Sequence, residues 1–266
     1  MKTRVCLAGA TGWVGKALSK AIYESQDFEL VAAVARTSAG RRLGDTLGIA
    51  NLDLEISSNV QQALATTCDV LIDYTHPTVV KTHVMEALSR NIPVVIGTSG
   101  LTEDDFTQID ELARKKQVGV LAAGNFAITA VLLQRFAMLA AKYISHWEII
   151  DYATAEKPDA PSGTARELAT KLSQIKPPVI HIPIENTHGQ KEARGATVGG
   201  TQIHSIRLPS YTFAFQIIFG LQHEKLTLHH EADSSPDPYV LGTLLAARHV
   251  RSFVGLKRGL DSVLEA

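Results

Sequence analysis

Cysteine is scarce: 266 residues hold two, Cys6 and Cys68. Two thiols cannot build a disulfide framework, and neither belongs to a CxxC zinc spacing. A reducing cytoplasm is the expected compartment. Charge of one sign is also missing, since 26 Lys+Arg face 27 Asp+Glu for a net −1. Without a broad positive field, nucleic acid is not an expected partner. Long apolar runs are few. Residues 117–134 carry no charge, but Gly119, Gly124, Asn125 and Thr129 interrupt them. They read as a buried strand, a tight loop and a helix start, not as a membrane span. The N-terminal Met1-Lys2-Thr3-Arg4 runs straight into VCLAGATG, without the apolar region and cleavage site of a signal peptide. No HExxH, EF-hand or zinc pattern is found, so no metal is expected, and no repeat or low-complexity tract is present. What remains is 45% apolar and 20% charged, ordinary for a soluble globular protein. The length suits two modest domains, or one carrying an insertion.

The first half alternates strand and helix. Residues 5–8, 30–34, 70–73, 94–96 and 118–122 are short apolar strands. Residues 13–23, 79–89 and 103–115 have helical spacing; Val14, Leu18 and Ile22 share one face. Residues 36–45 read as a polar, basic loop. Such alternation predicts a parallel sheet covered by helices on both faces. After a helix over 129–143 and a strand over 147–152, the pattern changes. A Pro/Gly-rich loop leads to a helix over 164–172, and then VIHIPIE, TQIHSIRL, YTFAFQIIFG and EKLTLHHEA read as strands around a mobile glycine- and alanine-rich loop at 187–200. Consecutive strands predict a mostly antiparallel sheet; residues 238–254 return to helix. The expected fold is α/β, a Rossmann-type parallel-sheet domain plus an α+β domain. The expected domains are 1–124 with 239–266 for a dinucleotide, and 125–238 for substrate and oligomerisation.

Gly9-Ala10-Thr11-Gly12-Trp13-Val14-Gly15 follows the first strand and opens a helix. Glycines allow the tight turn and a close approach of backbone N–H groups to a pyrophosphate, whose charge the helix N-terminus favours. The strand–turn–helix context makes Gly9, Ala10, Thr11, Gly12, Trp13 and Val14 candidate dinucleotide-binding residues. The second strand ends Val34-Ala35-Arg36-Thr37, with Arg41 and Arg42 nearby. An acidic residue usually holds a free ribose 2′-OH there; Ala35 followed by Arg36 suits a 2′-phosphate. NADPH is therefore expected over NADH, with Arg36 as its reader.

Several reductase families share such a start. None of Tyr23, Tyr74, Tyr143, Tyr152, Tyr211 and Tyr239 has a lysine four residues on, so the Tyr-x-x-x-Lys pair of short-chain dehydrogenases is missing. Both cysteines lie in or beside early strands and read as small buried hydrophobes. That excludes the nucleophilic cysteine of semialdehyde reductases. Glu156-Lys157-Pro158 has the letters of a sugar-oxidoreductase motif but lies beyond the nucleotide domain.

Glu148-Ile149-Ile150-Asp151, followed by Lys157-Pro158-Asp159-Ala160-Pro161-Ser162-Gly163-Thr164-Ala165, closely resembles the signature of the 4-hydroxy-tetrahydrodipicolinate reductase (dihydrodipicolinate reductase, DapB) family of lysine and diaminopimelate biosynthesis. Ile72-Asp73-Tyr74-Thr75, Gly97-Thr98-Ser99-Gly100 and Ala123-Gly124-Asn125-Phe126 support the resemblance, which spans almost the whole chain. It implies hydride transfer from NADPH or NADH to a carboxylated cyclic imine or enamine by a homotetramer. It implies nicotinamide-side cofactor contacts at Thr75, Gly97, Thr98, Ser99, Ala123, Asn125 and Phe126. It also implies a substrate-carboxylate clamp at Thr154, Lys157, Ser162, Gly163 and Thr164, with Lys157 the candidate catalytic residue. The residues themselves agree: hydroxyls and free N–H groups at a helix N-terminus, beside a lysine, suit an anion. No other cation of the clamp is evident in the sequence.

The chain departs from the family where the family carries a His-His pair, whose first member is assigned as proton donor. Those positions read Ala153-Thr154. A family asparagine is replaced in the vicinity of Val131. The arginine expected after His230 is missing from Ser234-Ser235-Pro236-Asp237-Pro238. Lys157, Tyr152, Glu156 or a water is left to protonate the product. Alternatively the substrate is a different imine protonated by solvent, or the protein binds NADP without turnover. His229 and His230 should point to opposite faces of a strand, and His188 and His204 read as packing residues.

Overall fold

The computed structural model describes residues 1–211 and 213–264. In chain order its elements are β1 (Thr3–Ala8), α1 (Trp13–Glu24), β2 (Phe28–Val34), α2 (Leu43–Leu47), β3 (Ile56–Ser57), α3 (Val60–Ala63), β4 (Val70–Asp73), α4 (Pro77–Ser89), β5 (Val94–Ile96), α5 (Glu103–Lys116), β6 (Gly119–Ala122), α6 (Ile128–Tyr143), β7 (Trp147–Ala153), α7 (Gly163–Ser173), β8 (Ala196–Val198), β9 (Thr201–Arg207), β10 (Phe213–Gly220), β11 (Lys225–Ala232), α8 (Asp237–His249) and β12 (Gly255–Arg258). They form two compact units, residues 1–128 with 236–266, and residues 129–235.

In the first unit seven strands run in the order β12-β6-β5-β4-β1-β2-β3, every pairing parallel. Such a sheet is covered on both faces, so its strands are continuously apolar. Val5, Cys6, Leu7 and Ala8 of β1 are all buried; removing a side chain as large as Leu7 should cost about 2–5 kcal/mol. α1 buries Gly15, Leu18, Ser19 and Ile22 on one stripe. α5 starts with a Thr102–Asp105 capping box and ends on Arg114, Lys115 and Lys116, which complements its dipole. Short β3 and α3, and the edge strand β12, carry too little periodicity to be read from sequence. α2 begins inside the segment expected to be loop at 36–45.

The second unit carries a five-stranded sheet, β11-β10-β7-β9-β8. All its pairings are antiparallel except β7 with β9, in line with the mostly antiparallel expectation. β7 alternates: Trp147, Ile149, Asp151 and Ala153 are buried, while Glu148, Ile150 and Tyr152 are half-buried. Two expectations are corrected. VIHIPIE forms no strand: Pro177, Pro178 and Pro183 remove ladder donors, and only a 3-10 turn at Ile184–Asn186 forms. The segment expected to be a mobile loop at 187–200 holds a 3-10 turn and β8, which pairs with β9 across Gly199-Gly200. The strand expected over 211–220 starts at Phe213; its Thr212 lies outside the described residues. Among the described residues no helix is long and apolar enough to cross a membrane.

Candidate active site

In the first unit the turn between β1 and α1 is built from glycines with different duties. Gly9 has φ +86°, and a Cβ on it would lie 2.1 Å from the Tyr74 carbonyl oxygen; at Gly15 a Cβ would lie 1.9 Å from the Gly9 oxygen. The fold itself requires both. Gly12 is exposed, and its Cβ would approach only the Gly9 oxygen, at 3.2 Å. It is the N-cap of α1, without a side-chain cap, and the first turn carries no acidic residue. The positive end of the helix is therefore bare, a cradle that fits a pyrophosphate. Thr11 and Val14 are half-buried at this turn, and Trp13 is exposed, edge-on to Tyr239 with ring centroids 5.7 Å apart. Ala10 is fully buried, so it has only its backbone to offer.

Arg36 is exposed two residues beyond β2, and Ala35 before it is buried. Arg42, read as part of the same basic loop, pairs instead with Asp53 at 2.5 Å. Among the described residues Arg36 and Arg41 have no ion-pair partner.

Thr75 follows β4 and Thr98 follows β5, so both lie at the carboxyl ends of parallel strands, where such sheets bind ligands. Both hydroxyls donate to Asp73 Oδ1, at 2.7 and 2.6 Å. Ser99 is exposed and Gly97 and Ala123 are half-buried beside them. Asn125 Oδ1 accepts a hydrogen bond from Ala127 N at 2.8 Å. Phe126 is 1% exposed and packs on Tyr74, so its ring belongs to the core and only its backbone can face a ligand. Sequence reasoning passed over Asp73 and His83 as site residues. The signal was an aspartate closing an otherwise apolar strand, VLID, where a charge is costly unless it is satisfied.

In the second unit residues 154–162 link β7 to α7. Ser162 caps α7, its Oγ accepting from Ala165 N at 3.3 Å, and its own N–H donates to buried Asp151 Oδ2 at 2.8 Å. Arg207 holds the same carboxylate oxygen at 2.7 Å and donates to the Asp159 carbonyl at 2.8 Å. This buried pair therefore grips the loop at two points. Lys157 Nζ lies 2.6 Å from Asp159 Oδ1. Gly163 is exposed and Thr164 half-buried at the start of α7. Lys157 is not the only cation here, contrary to the sequence reading: Arg166 folds back to donate to the Pro161 carbonyl, and Arg207 lies beneath.

The positions that depart from the family are also clear. Ala153 is fully buried on the covered face of the sheet. Thr154 donates to Glu156, and that bond holds the Glu156 carboxyl below its ordinary range, which disfavours it as a proton donor at neutral pH. Tyr152 lies on the opposite face of β7 from Asp151 and Ala153. Burial, with the neighbouring Tyr211 adding to it, raises its phenol. His230 is buried against Phe213 and Phe215 and bonds Thr129 Oγ1 at 3.1 Å, while His229 bonds Gln216 on the other face. Burial, then the charge of His229, lowers the His230 pKa. His204 pairs with Glu148 at 2.7 Å. His188 lines a cavity of about 840 Å³ with His146 and His181, and none of the expected site residues borders it. Cys6 and Cys68 are buried and free; burial raises both thiols, that of Cys68 to about 11. Among the described residues no group of three or more His, Cys, Asp or Glu is placed to hold a metal.

Known proteins match the chain end to end. The family profile described as "Dihydrodipicolinate reductase, N-terminus" covers residues 3–126, and that described as "Dihydrodipicolinate reductase, C-terminus" covers residues 129–264. The chain is 36% identical over 266 residues to the 4-hydroxy-tetrahydrodipicolinate reductase of Desulfitobacterium hafniense (strain DSM 10664 / DCB-2), covering 99% of each. It is 35% identical over 266 residues to that of Geobacillus thermodenitrificans (strain NG80-2), covering 100% of each. The solved structure of a dipicolinate-bound dihydrodipicolinate reductase from Paenisporosarcina sp. TG-14 matches with a TM-score of 0.89 at 32% identity, over 99% of this chain and 100% of that one. An amine dehydrogenase from Mycobacterium smegmatis, at 13% identity and a TM-score of 0.69 over 98% of this chain and 96% of that one, shares the fold alone. The chain belongs to the dihydrodipicolinate reductase family.

Proposed function

We propose that this protein is an NAD(P)H-dependent reductase of a carboxylated cyclic imine or enamine, with 4-hydroxy-tetrahydrodipicolinate as the first substrate to test and NADPH as the preferred cofactor. The observation that carries the reading is the uncapped, acid-free N-terminus of α1 behind an exposed Gly12, in a chain that the family matches from end to end.

The bound dihydronicotinamide supplies the hydride. The protein's residues bind and orient. The first-turn N–H groups of α1 hold the pyrophosphate. Arg36, with Arg41 also unpaired nearby, holds the 2′-phosphate; Ala35 removes the carboxylate that would repel it. Thr75, Gly97, Thr98, Ser99, Ala123, Asn125 and the backbone at Phe126 border the nicotinamide end. In the second unit the N–H groups of Gly163 and Thr164 and the hydroxyl hydrogens of Ser162 and Thr164 face a substrate carboxylate. Lys157 adds charge, and Thr154, whose hydroxyl hydrogen goes to Glu156, borders the site as an acceptor. Ala153 carries no proton and Glu156 is held ionised, so Lys157 Nζ is the group of this loop left to deliver a proton to the product nitrogen.

A second reading, reduction of a different imine, draws on the buried Ala153. A histidine there would overpack the covered face, so this part of the site is built differently and not merely missing one group. The half-buried outer face of the sheet, with Ile150, Tyr152, Ile206 and Ile218, suits a homo-oligomer, a tetramer by resemblance; light scattering measures it. The two buried thiols are in keeping with a cytoplasmic setting. Following NADPH oxidation with 4-hydroxy-tetrahydrodipicolinate and with a panel of cyclic imino acids separates the readings. Turnover of the first supports the family activity, turnover only of another imine supports the second reading, and NADPH binding without turnover defeats both.

A further inference from the structure

Asp73 closes β4 with no exposed surface, yet it is a charged side chain in an apolar sheet. Both of its oxygens are hydrogen-bonded. Oδ1 accepts from Thr75 N at 3.1 Å, Thr75 Oγ1 at 2.7 Å and Thr98 Oγ1 at 2.6 Å. Oδ2 lies 2.8 Å from His83 Nδ1, which comes from α4 and whose side chain is 13% exposed. Thr98 Oγ1 in turn accepts the Thr75 N–H at 2.7 Å, and Gly97 N donates to the Asp73 carbonyl at 2.9 Å. One carboxylate thus ties the loop after β4 to the loop after β5.

The polarity of these bonds follows from chemistry. An ionised carboxylate only accepts, so each threonine hydroxyl must commit its hydrogen to Asp73, and His83 must carry its proton on Nδ1. The free sides of Thr75 Oγ1 and Thr98 Oγ1 then present lone pairs alone. We propose that Asp73 and His83 are positioning residues for the nicotinamide end of the cofactor: they lock the two threonines as acceptors, suited to the N–H of the ligand's carboxamide. This rests on the cofactor reading above and assigns these two residues within it.

The test compares two ligands by fluorescence or calorimetric titration: NADPH, and 2′-phospho-ADP-ribose, which has the adenine half but no nicotinamide. For His83→Ala and Asp73→Asn, NADPH affinity should fall by about tenfold, the value of one charge-assisted hydrogen bond, while 2′-phospho-ADP-ribose affinity changes by less than about twofold. His83→Asn, whose side-chain amide can replace the Nδ1–H donor, should recover most of the loss. Equal losses for both ligands, no loss for either, or no recovery in His83→Asn overturns the proposal. If Asp73→Asn does not fold, the partly exposed His83 variants decide alone. A wild-type chain that binds neither nucleotide contradicts the cofactor reading itself, whereas wild-type binding with unresponsive variants contradicts only the positioning role.

Discussion

Arg207→Ala is the perturbation whose cost the structure defines best. Asp151 has no exposed surface, and the Arg207 side chain is 16% exposed. The arginine donates to Asp151 Oδ2 at 2.7 Å, to the Asp151 and Ile206 carbonyls at 3.2 and 2.9 Å, and to the Asp159 carbonyl at 2.8 Å. Its removal leaves a buried carboxylate with only the Ser162 N–H and the Ser205 hydroxyl. Stranding a buried charge costs about 3–5 kcal/mol, against about 0–1 for an exposed pair. Urea unfolding followed by the fluorescence of Trp147, which is buried on the same strand and the same face, reads that loss. The double variant Asp151→Leu/Arg207→Met replaces the pair by apolar groups and should be destabilised less than Arg207→Ala alone. It should still bind substrate poorly, because the Asp159 carbonyl and the Ser162 N–H have lost the groups that hold the loop. A loss below about 1 kcal/mol in Arg207→Ala would mean that the pair behaves as a solvated one, and unchanged substrate KM in the folded double variant would refute its hold on the loop.

Other expectations follow from the same geometry. Gly12→Val should abolish NADPH binding with the fold intact by circular dichroism, whereas Gly15→Ala should disrupt the fold; the reverse pattern would make Gly12 a purely structural residue. Arg36→Ala should weaken NADPH by about tenfold and NADH by much less, and equal losses would remove Arg36 from the 2′-phosphate. Lys157→Ala should raise substrate KM about tenfold to a hundredfold if it holds a carboxylate, with an added fall in kcat if it also delivers the proton; unchanged kinetics would take it out of the site. Ala153→His should lower the Tm, since overpacking a core site costs about 1–3 kcal/mol, and an unchanged Tm with a large gain in turnover would show that room exists there. His230 has its pKa lowered by burial, so the unfolded chain takes up its proton first as pH falls. The stability that this residue contributes is complete above the ordinary histidine value of about 6.5 and is lost as pH falls through it toward the lower folded value. The fall in Tm from pH 7.5 to 5.5 should be smaller in His230→Phe than in wild type; identical pH slopes would refute this.

The alternation of apolar strands and amphipathic helices made the parallel sheet readable, because both-face burial leaves runs such as VCLA and VLID with no other explanation. The turn at Gly9 was readable for the same reason: tight geometry restricts residue type. Boundaries suffered where long-range contacts override local pattern. VIHIPIE has strand letters but follows Pro177-Pro178 and contains Pro183, and β12 pairs with β6 only because the chain returns after α8. At the candidate site, the loop carrying Lys157 was visible as a motif, yet its grip by Asp151 and Arg207 joins residues 56 positions apart. Asp73 and His83 were hidden differently. Their roles come from satisfying one buried carboxylate, which spacing along the chain does not reveal.

The deciding quantity is the rate of NADPH oxidation by the purified protein when 4-hydroxy-tetrahydrodipicolinate is generated in situ, with Lys157→Ala and Gly12→Val as controls. Turnover by the wild type, lost in Gly12→Val and carrying a raised KM in Lys157→Ala, is the predicted result. Tight NADPH binding with no oxidation on this or any other carboxylated cyclic imine would contradict it.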